Sequence, residues 1–368
     1  MLKNEYKKLI KDINQKTKLV EIKNILKEFE LKINDEKDVE NFSKFITKKY
    51  KKIDFEKLPY VIEYYYSSEN IDFFKIACKL LVGSYKKIPF LTNLEDIKLS
   101  KEKYLHILPE IIQIINNTAN GISDCMYLII LRNEEYYNEV EEKYKKQITD
   151  SLIRIGVILE YLSYPGNILT KEIEYSLEII VDVAKLYNND EILKLVEKCL
   201  DLNSKNVELF SLNTLIYNNI PVHDVYVDEI AKNYSTCNRL YNMLENMEKT
   251  YRFPDEYINQ EQFALSEMVY WLMDKRELGK TPTSIEIVDK IKKDGYVYYI
   301  IKYKTYVKKY KEKEWLLGIS GGFLESNVPT TKTNGYTFSD FEKFEEETYI
   351  ADAKKLIEKI DAFSKGIY

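Results

Sequence analysis

Histidine is nearly missing from this chain: His106 and His223 serve all 368 positions. They stand more than a hundred residues apart, with no Cys or His at the short spacing a zinc site requires, so no metal is expected. No histidine follows residue 223, which removes the general base that a downstream nucleophilic serine would need. Cysteine is equally sparse. Cys78, Cys125, Cys199 and Cys237 are dozens of residues apart, form no C-x-x-C pair and sit in apolar helical stretches or at a helix start, so they read as reduced, packed thiols. There is no apolar run near the roughly 20 residues that span a bilayer. The N-terminus, Met-Leu-Lys-Asn-Glu-Tyr-Lys-Lys, lacks the apolar core of a signal peptide, and a cytoplasmic, soluble protein is expected.

Glycine is also scarce, and its distribution is informative. Of eleven glycines, only Gly83, Gly121, Gly156 and Gly166 precede residue 262; the other seven fall between Gly279 and Gly366. Upstream, apolar residues recur with period 3.6. Ile173, Leu177, Ile180, Val181 and Ala184 form one stripe, with Thr170 as N-cap. Asp190, Asp224 and Ser235 are candidate caps of the helices that follow. Residues 4–16, 19–33, 37–51, 55–66, 69–86, 101–119, 121–134 and 138–163 are predicted helices. Pairs of such helices recur about every 35–40 residues, the period of an α-solenoid whose repeats must stack to bury their stripes.

Downstream the period changes to two. Ile285, Ile287 and Ile291 mark a first strand; Val297, Tyr299, Ile301, Tyr303 and Thr305 form one face of a second. Asp294-Gly295 between them is a hairpin signal. Trp315, Leu317 and Ile319 give a third strand, and Gly318, Gly321 and Gly322 allow a bend or a close backbone approach, read as a turn that ends the strand. A closing helix places Ile350, Ala353, Ile357 and Ile360 on one face. The expected fold is therefore mainly α: a HEAT-like α-solenoid over residues 1–250, then a small α+β module over 251–368 with a three-stranded antiparallel meander.

The segments Arg239-Leu240-Tyr241, Phe253-Pro254, Ser266-Glu267-Met268-Val269, Trp271-Leu272 and Glu277-Leu278-Gly279 form a series. Ile285-Glu286, Tyr298-Tyr299, Gly318, Gly321-Gly322 and Gly335-Tyr336-Thr337-Phe338-Ser339-x-Phe341 extend it. With these residues the stretch 205–345 resembles bacterial HEAT-repeat-domain proteins that end in a short α/β module. The resemblance implies a fold and no catalytic residues, and it points to interaction or immunity roles.

Motifs for chemistry are few. Gly318-Ile319-Ser320-Gly321-Gly322 spells G-x-S-x-G, but no helix pattern or histidine follows it. No phosphate-binding glycine loop is spelled anywhere. His223-Asp224 could pair, yet Asp224 reads more simply as a cap. Clusters such as Glu345-Glu346-Glu347 point different ways on a helix and read as solvated faces. No cofactor is expected, and the chain reads as a non-enzyme.

The strongest remaining signal is basic and aromatic: Tyr298, Tyr299, Lys302, Tyr303, Lys304, Tyr306, Lys308, Lys309, Tyr310, Lys311 and Lys313 crowd one hairpin. Single-strand binders use such mixtures, with aromatics on bases and lysines on phosphates. Edge lysines that prevent aggregation, with tyrosines packed on a sheet, explain it as well, and the net charge of -5 favours this second account. The leading expectation is a protein–protein interaction scaffold or adaptor. Its sharper form is immunity or antitoxin action against a co-encoded toxin, and the alternative is nucleic-acid binding through residues 298–313. Candidate interaction residues are Trp271, Tyr299, Tyr303, Tyr306, Lys308, Lys309 and Trp315.

Overall fold

The computed structural model describes residues 2–33, 35–87, 97–116, 122–162, 170–307, 312–325 and 337–364. Over these the chain is mainly helical, with a three-stranded antiparallel sheet near its C-terminal end. It divides into two compact units, Met1–Lys198 and Cys199–Tyr368. The change of composition near residue 262 thus falls inside the second unit.

The first unit contains α1 (Leu2–Gln15), α2 (Leu19–Glu30), α3 (Glu36–Lys49), α4 (Leu58–Tyr66), α5 (Ile71–Ser84), α6 (Lys101–Asn116), α7 (Glu142–Leu162), α8 (Lys171–Val183) and α9 (Asp190–Lys198). Each packs mainly on near neighbours in the chain, as α1 does on α2 and α3, and α5 on α4 and α6. Side-chain caps set several starts. Thr170 accepts from the Ile173 amide as expected, and Asp35 and Asn70 do the same for α3 and α5. The expected cap Asp190 is instead the first helical residue, since Asn189 Oδ1 accepts from both Glu191 and Ile192. The core is aromatic: Phe42 meets Tyr6, Phe29 and Tyr65, and the buried hydroxyls of Tyr104 and Tyr187 lie 3.0 Å apart.

One expected helix differs. Residues 122–132 form a 3-10 helix rather than α. Tyr127 to Leu131 are five consecutive buried residues packed between α6 and α8, so this stretch shows no polar face to set a 3.6 period.

The second unit holds α10 (Lys205–Tyr217), α11 (Asp224–Lys232), α12 (Cys237–Asn246) and α13 (Gln260–Met273), then β1 (Ser284–Lys293), β2 (Tyr296–Val307), β3 (Glu312–Leu324) and α14 (Tyr349–Ser364). Sheet order is β1-β2-β3. The Asp294-Gly295 turn forms as read, with φ of 52° and 79°, the left-handed pair a tight two-residue hairpin demands. The α11 cap is His223, whose Nδ1 accepts from Val225, rather than Asp224. At α12 the position before the helix is Thr236, while Ser235 bonds back to Asn233.

Both faces of the sheet are covered, which explains why β2 is almost continuously apolar. On one side Tyr298, Ile300, Leu317 and Ile319 pack against Ala353, Leu356, Ile357 and Ile360 of α14. Ile350, expected on that stripe, is exposed, and Leu356 takes a buried place. On the other side lies α13. Its Gln260 accepts from the Tyr299 hydroxyl and donates to the Leu324 carbonyl, clamping β2 to β3.

The glycines read as a turn lie inside β3. Gly318 leaves the space that the Met268 methyl fills; a Cβ there would stand 2.3 Å from it. Gly321 has φ 149° beside a register shift between Val297 and Tyr298. Beyond β3, residues 338–344 run along its outer edge. Ile319 and Phe338 exchange two 2.9 Å backbone bonds, and Phe344 donates to Trp315. β1 is the open edge, broken by a bulge at Ile287/Asp289 and studded with Lys290 and Lys292, both devices that discourage pairing.

Candidate functional site

Of the predicted interaction residues, Tyr299 and Tyr303 turn inward. Tyr303 is fully buried; its hydroxyl lies 2.8 Å from Ser339 Oγ, which donates to the Leu317 carbonyl. Tyr299 is buried under α13. Trp271 is half-buried and stacks on Phe341 at 5.9 Å and 22°, with Phe338 at 6.2 Å. Trp315, also half-buried, faces Lys302 at 5.3 Å and Lys304 at 5.7 Å. Tyr306 stays exposed, at 46%. Lys308 and Lys309 lie outside the described residues.

Several lysines of the sheet and its flanking segments have acidic partners. Lys302 sits 5.1 Å from the Phe344 ring and 3.2 Å from Glu286. Lys292 pairs with Glu325, Lys293 with Asp361, and Lys343 with Glu314. Tyr298, Tyr299 and Tyr303 are core residues and Lys302 has an acidic partner, whereas Tyr306 is exposed and residues 308–311 lie outside the described residues.

Groups that could carry chemistry are isolated. Ser320 is buried in β3 and meets the Thr337 hydroxyl at 3.1 Å, with no base beside it. Cys78, Cys199 and Cys237 are buried thiols outside any disulfide; burial pushes Cys78 upward and Cys237 up to about 12, far from a reactive thiolate. Among the described residues no group of three or more His, Cys, Asp or Glu could hold a metal ion, and no helix is long and apolar enough to cross a membrane.

Between α12 and α13 lies a polar contact that the sequence reading passed over. Asn238 donates from its backbone to Ser266 Oγ (3.1 Å) and from its side chain to the Phe263 carbonyl (3.0 Å). Beside it, burial raises the Glu267 carboxyl above its ordinary range, only partly offset by a hydrogen bond from Asn238. An acid raised in the fold binds its proton more tightly folded than unfolded. Its contribution is therefore fully present below the unfolded value and is lost as pH rises through the folded one. Glu267→Gln should remove that loss. Its thermal stability relative to wild type should grow from pH 4 upward and then level off, each pH unit between the two values being worth about 1.4 kcal/mol. A difference that stays flat with pH would contradict the buried-acid account.

Three of the exposed apolar side chains, Tyr217, Val225 and Tyr251, belong to segments at one end of α10–α12, while others such as Tyr270, Leu324 and Ile350 lie elsewhere in the second unit. α10 and α12 both stop at a left-handed residue, Asn219 (φ 58°) and Glu248 (φ 58°). In each, a six-to-one backbone bond closes the end: Ile220 N to Leu215 O, and Lys249 N to Leu244 O. Lys249 Nζ then reaches across to the Ile216 carbonyl and Asn219 Oδ1 (2.9 Å), while Arg252 donates to the Val222 carbonyl at 3.1 Å. The two helix ends and the α10–α11 loop are thus tied together. They present Tyr217, Val225 and Tyr251, the last 80% exposed, within a rim that includes Asp224, Glu248 and Arg252. The one sequence signal for this patch is a tyrosine between Thr250 and Arg252, past a helix end where no periodicity calls for an aromatic.

Comparison of the chain with protein-family models, with curated proteins and with solved structures returns no match.

Proposed function

We propose that this chain works by binding another protein and not by catalysing a reaction. The observation that carries the reading is the exposed trio Tyr217, Val225 and Tyr251 on a backbone fixed by Lys249 and Arg252. Protein interfaces favour aromatic anchors within a charged rim, and a pre-ordered surface loses little entropy on binding. The isolation of Ser320, the capping role of His223 and the buried thiols support it from the other side. In this reading successive helix pairs within each unit stack in HEAT-like fashion, as an α-solenoid does, and the protein serves as a scaffold or adaptor. A co-encoded toxin is one partner class for such a role.

The test is an affinity capture from the native host, run in parallel with wild type and with Val225→Ser/Tyr251→Ser. A partner retained by wild type should be lost, or weakened at least ~30-fold, since a central anchor is worth about 2 kcal/mol or more. Both side chains are exposed, so folding should be unchanged, within about 0.5 kcal/mol. A partner held equally by both proteins, or none above background with wild type, removes the reading.

A further inference from the structure

The net charge of -5 conceals an uneven distribution. Residues 1–87 carry twenty lysines against fourteen Asp and Glu, a surplus of six positive charges, so everything beyond them is strongly acidic. Within that basic stretch the surplus is concentrated. Lys48, Lys49, Lys51 and Lys52 lie at the end of α3 and in the 3-10 turn after it, and Lys86 and Lys87 follow α5. All six are exposed, and among the described residues none forms an ion pair. Elsewhere in the same unit many lysines are paired, as Lys23 is with Glu63 and Lys75 with Asp72.

Three of these lysines line a cleft of about 340 Å³, large enough for one planar ring system. Lys51, Lys52 and Lys87 line it together with Tyr50, Asp54 and Phe55. Phe55 is 46% exposed at this cleft. The walls are held in place. Tyr50 donates its hydroxyl to the Gly83 carbonyl, joining the ends of α3 and α5. The Asn14 carboxamide donates to the Lys52 carbonyl and accepts from the Asp54 amide, both at 2.9 Å, pinning the segment that presents Lys51, Lys52 and Phe55.

Helix ends account for only part of the charge. Two C-termini bring about half a negative charge each. Asp54 and Glu56 add two more, which against six lysines leaves about three positive charges without a local counterpart. A fixed cluster of unpaired cations around a cleft with an exposed aromatic fits a ligand that alternates anionic groups with flat rings. We propose that this cleft binds single-stranded nucleic acid, with the phosphodiester backbone along Lys51, Lys52 and Lys87 and a base set against Phe55. The site is separate from the Tyr251 patch and does not depend on that reading.

The test is fluorescence anisotropy of the full chain with labelled oligothymidylate, repeated over a range of salt. Wild type should bind at low salt, with affinity falling steeply as salt rises. Lys51→Ala/Lys52→Ala/Lys87→Ala should weaken binding at least ~10-fold. It should also flatten the log–log salt slope by about two, because each lost phosphate contact on a single strand removes about 0.7. Phe55→Ala should weaken binding by about tenfold and leave the slope unchanged, the mark of stacking rather than charge. All four side chains are exposed, so circular dichroism should be unaltered. Absence of binding by wild type at low salt overturns the proposal, as does a triple variant with an unchanged slope. Equal binding of polyglutamate with no effect of Phe55→Ala also overturns it, by assigning the patch to an acidic protein.

Discussion

Replacing Gly321 by alanine should unfold or severely weaken the second unit, at a cost of about 4 kcal/mol. Two independent penalties meet at this residue. Its φ of 149° belongs to a region that side chains rarely enter, which alone costs about 1–3 kcal/mol. A Cβ there would also stand 2.6 Å from the Val297 carbonyl oxygen and 2.9 Å from the Tyr298 Cα, both backbone atoms of the central strand. Neither can swing aside as a side chain would, so relief requires β2 and β3 to separate at their register shift. Gly295→Ala is the control. It also has a positive φ, 79°, but no atom lies within 4 Å of the added carbon, so only the conformational penalty of about 1–2 kcal/mol should appear. The measurement is simple because both tryptophans, Trp271 and Trp315, lie in the second unit, and tryptophan emission excited beyond the tyrosine absorption band reports on that unit alone. Equal costs for the two substitutions would show that the close approach of β3 to β2 is absent.

The same glycines mark how far the sequence could be read. Period two, the Asp-Gly turn and the order of three antiparallel strands were all legible, because each depends on neighbours in the chain. A close backbone approach at the glycines was legible as one alternative, but the interior position of Gly318 and Gly321 in the strand was not. Glycine is ordinarily a breaker, and the reasons for it here are a methyl of Met268 and a carbonyl of Val297, groups supplied from α13 and β2. Caps were misassigned for a related reason. At Asn189–Asp190 and His223–Asp224 adjacent polar residues compete, and backbone angles, invisible in sequence, decide which one accepts. The candidate site suffered most. A tyrosine in a hairpin looks alike whether it faces solvent or core, and an apolar face on each side of β2 can be known only once α13 and α14 are in place. Several residues behind the HEAT-type resemblance, including Trp271, Gly318, Phe338, Ser339 and Phe341, converge on one packing contact between α13, β3 and the strand-like segment after it.

Tyr303 decides between the two accounts of the hairpin, and its variants should separate cleanly. Tyr303→Ala should cost about 4 kcal/mol, since removal of a fully buried ring leaves a cavity between β2, β3 and Met268 of α13. Tyr303→Phe retains the ring and removes only the hydroxyl that meets Ser339, so about 1 kcal/mol is expected. Ser339 keeps its bonds to the Leu317 carbonyl and the Phe341 amide in that variant, which limits the loss. Tyr306→Ala, on the same strand but exposed, should change stability by less than about 0.5 kcal/mol. Denaturant titration followed by tryptophan fluorescence measures all three. A cost that falls from Tyr303→Ala through Tyr303→Phe to Tyr306→Ala identifies the hairpin tyrosines as core, whereas a base-stacking surface would predict small and similar costs for all. Burial also raises the Tyr303 hydroxyl well above the usual phenol range. Its ionisation therefore opposes folding, and the gap between wild type and Tyr303→Phe should close as pH rises past the unfolded tyrosine value, near 10. A gap that persisted at alkaline pH would place this hydroxyl in water and return the hairpin to the surface.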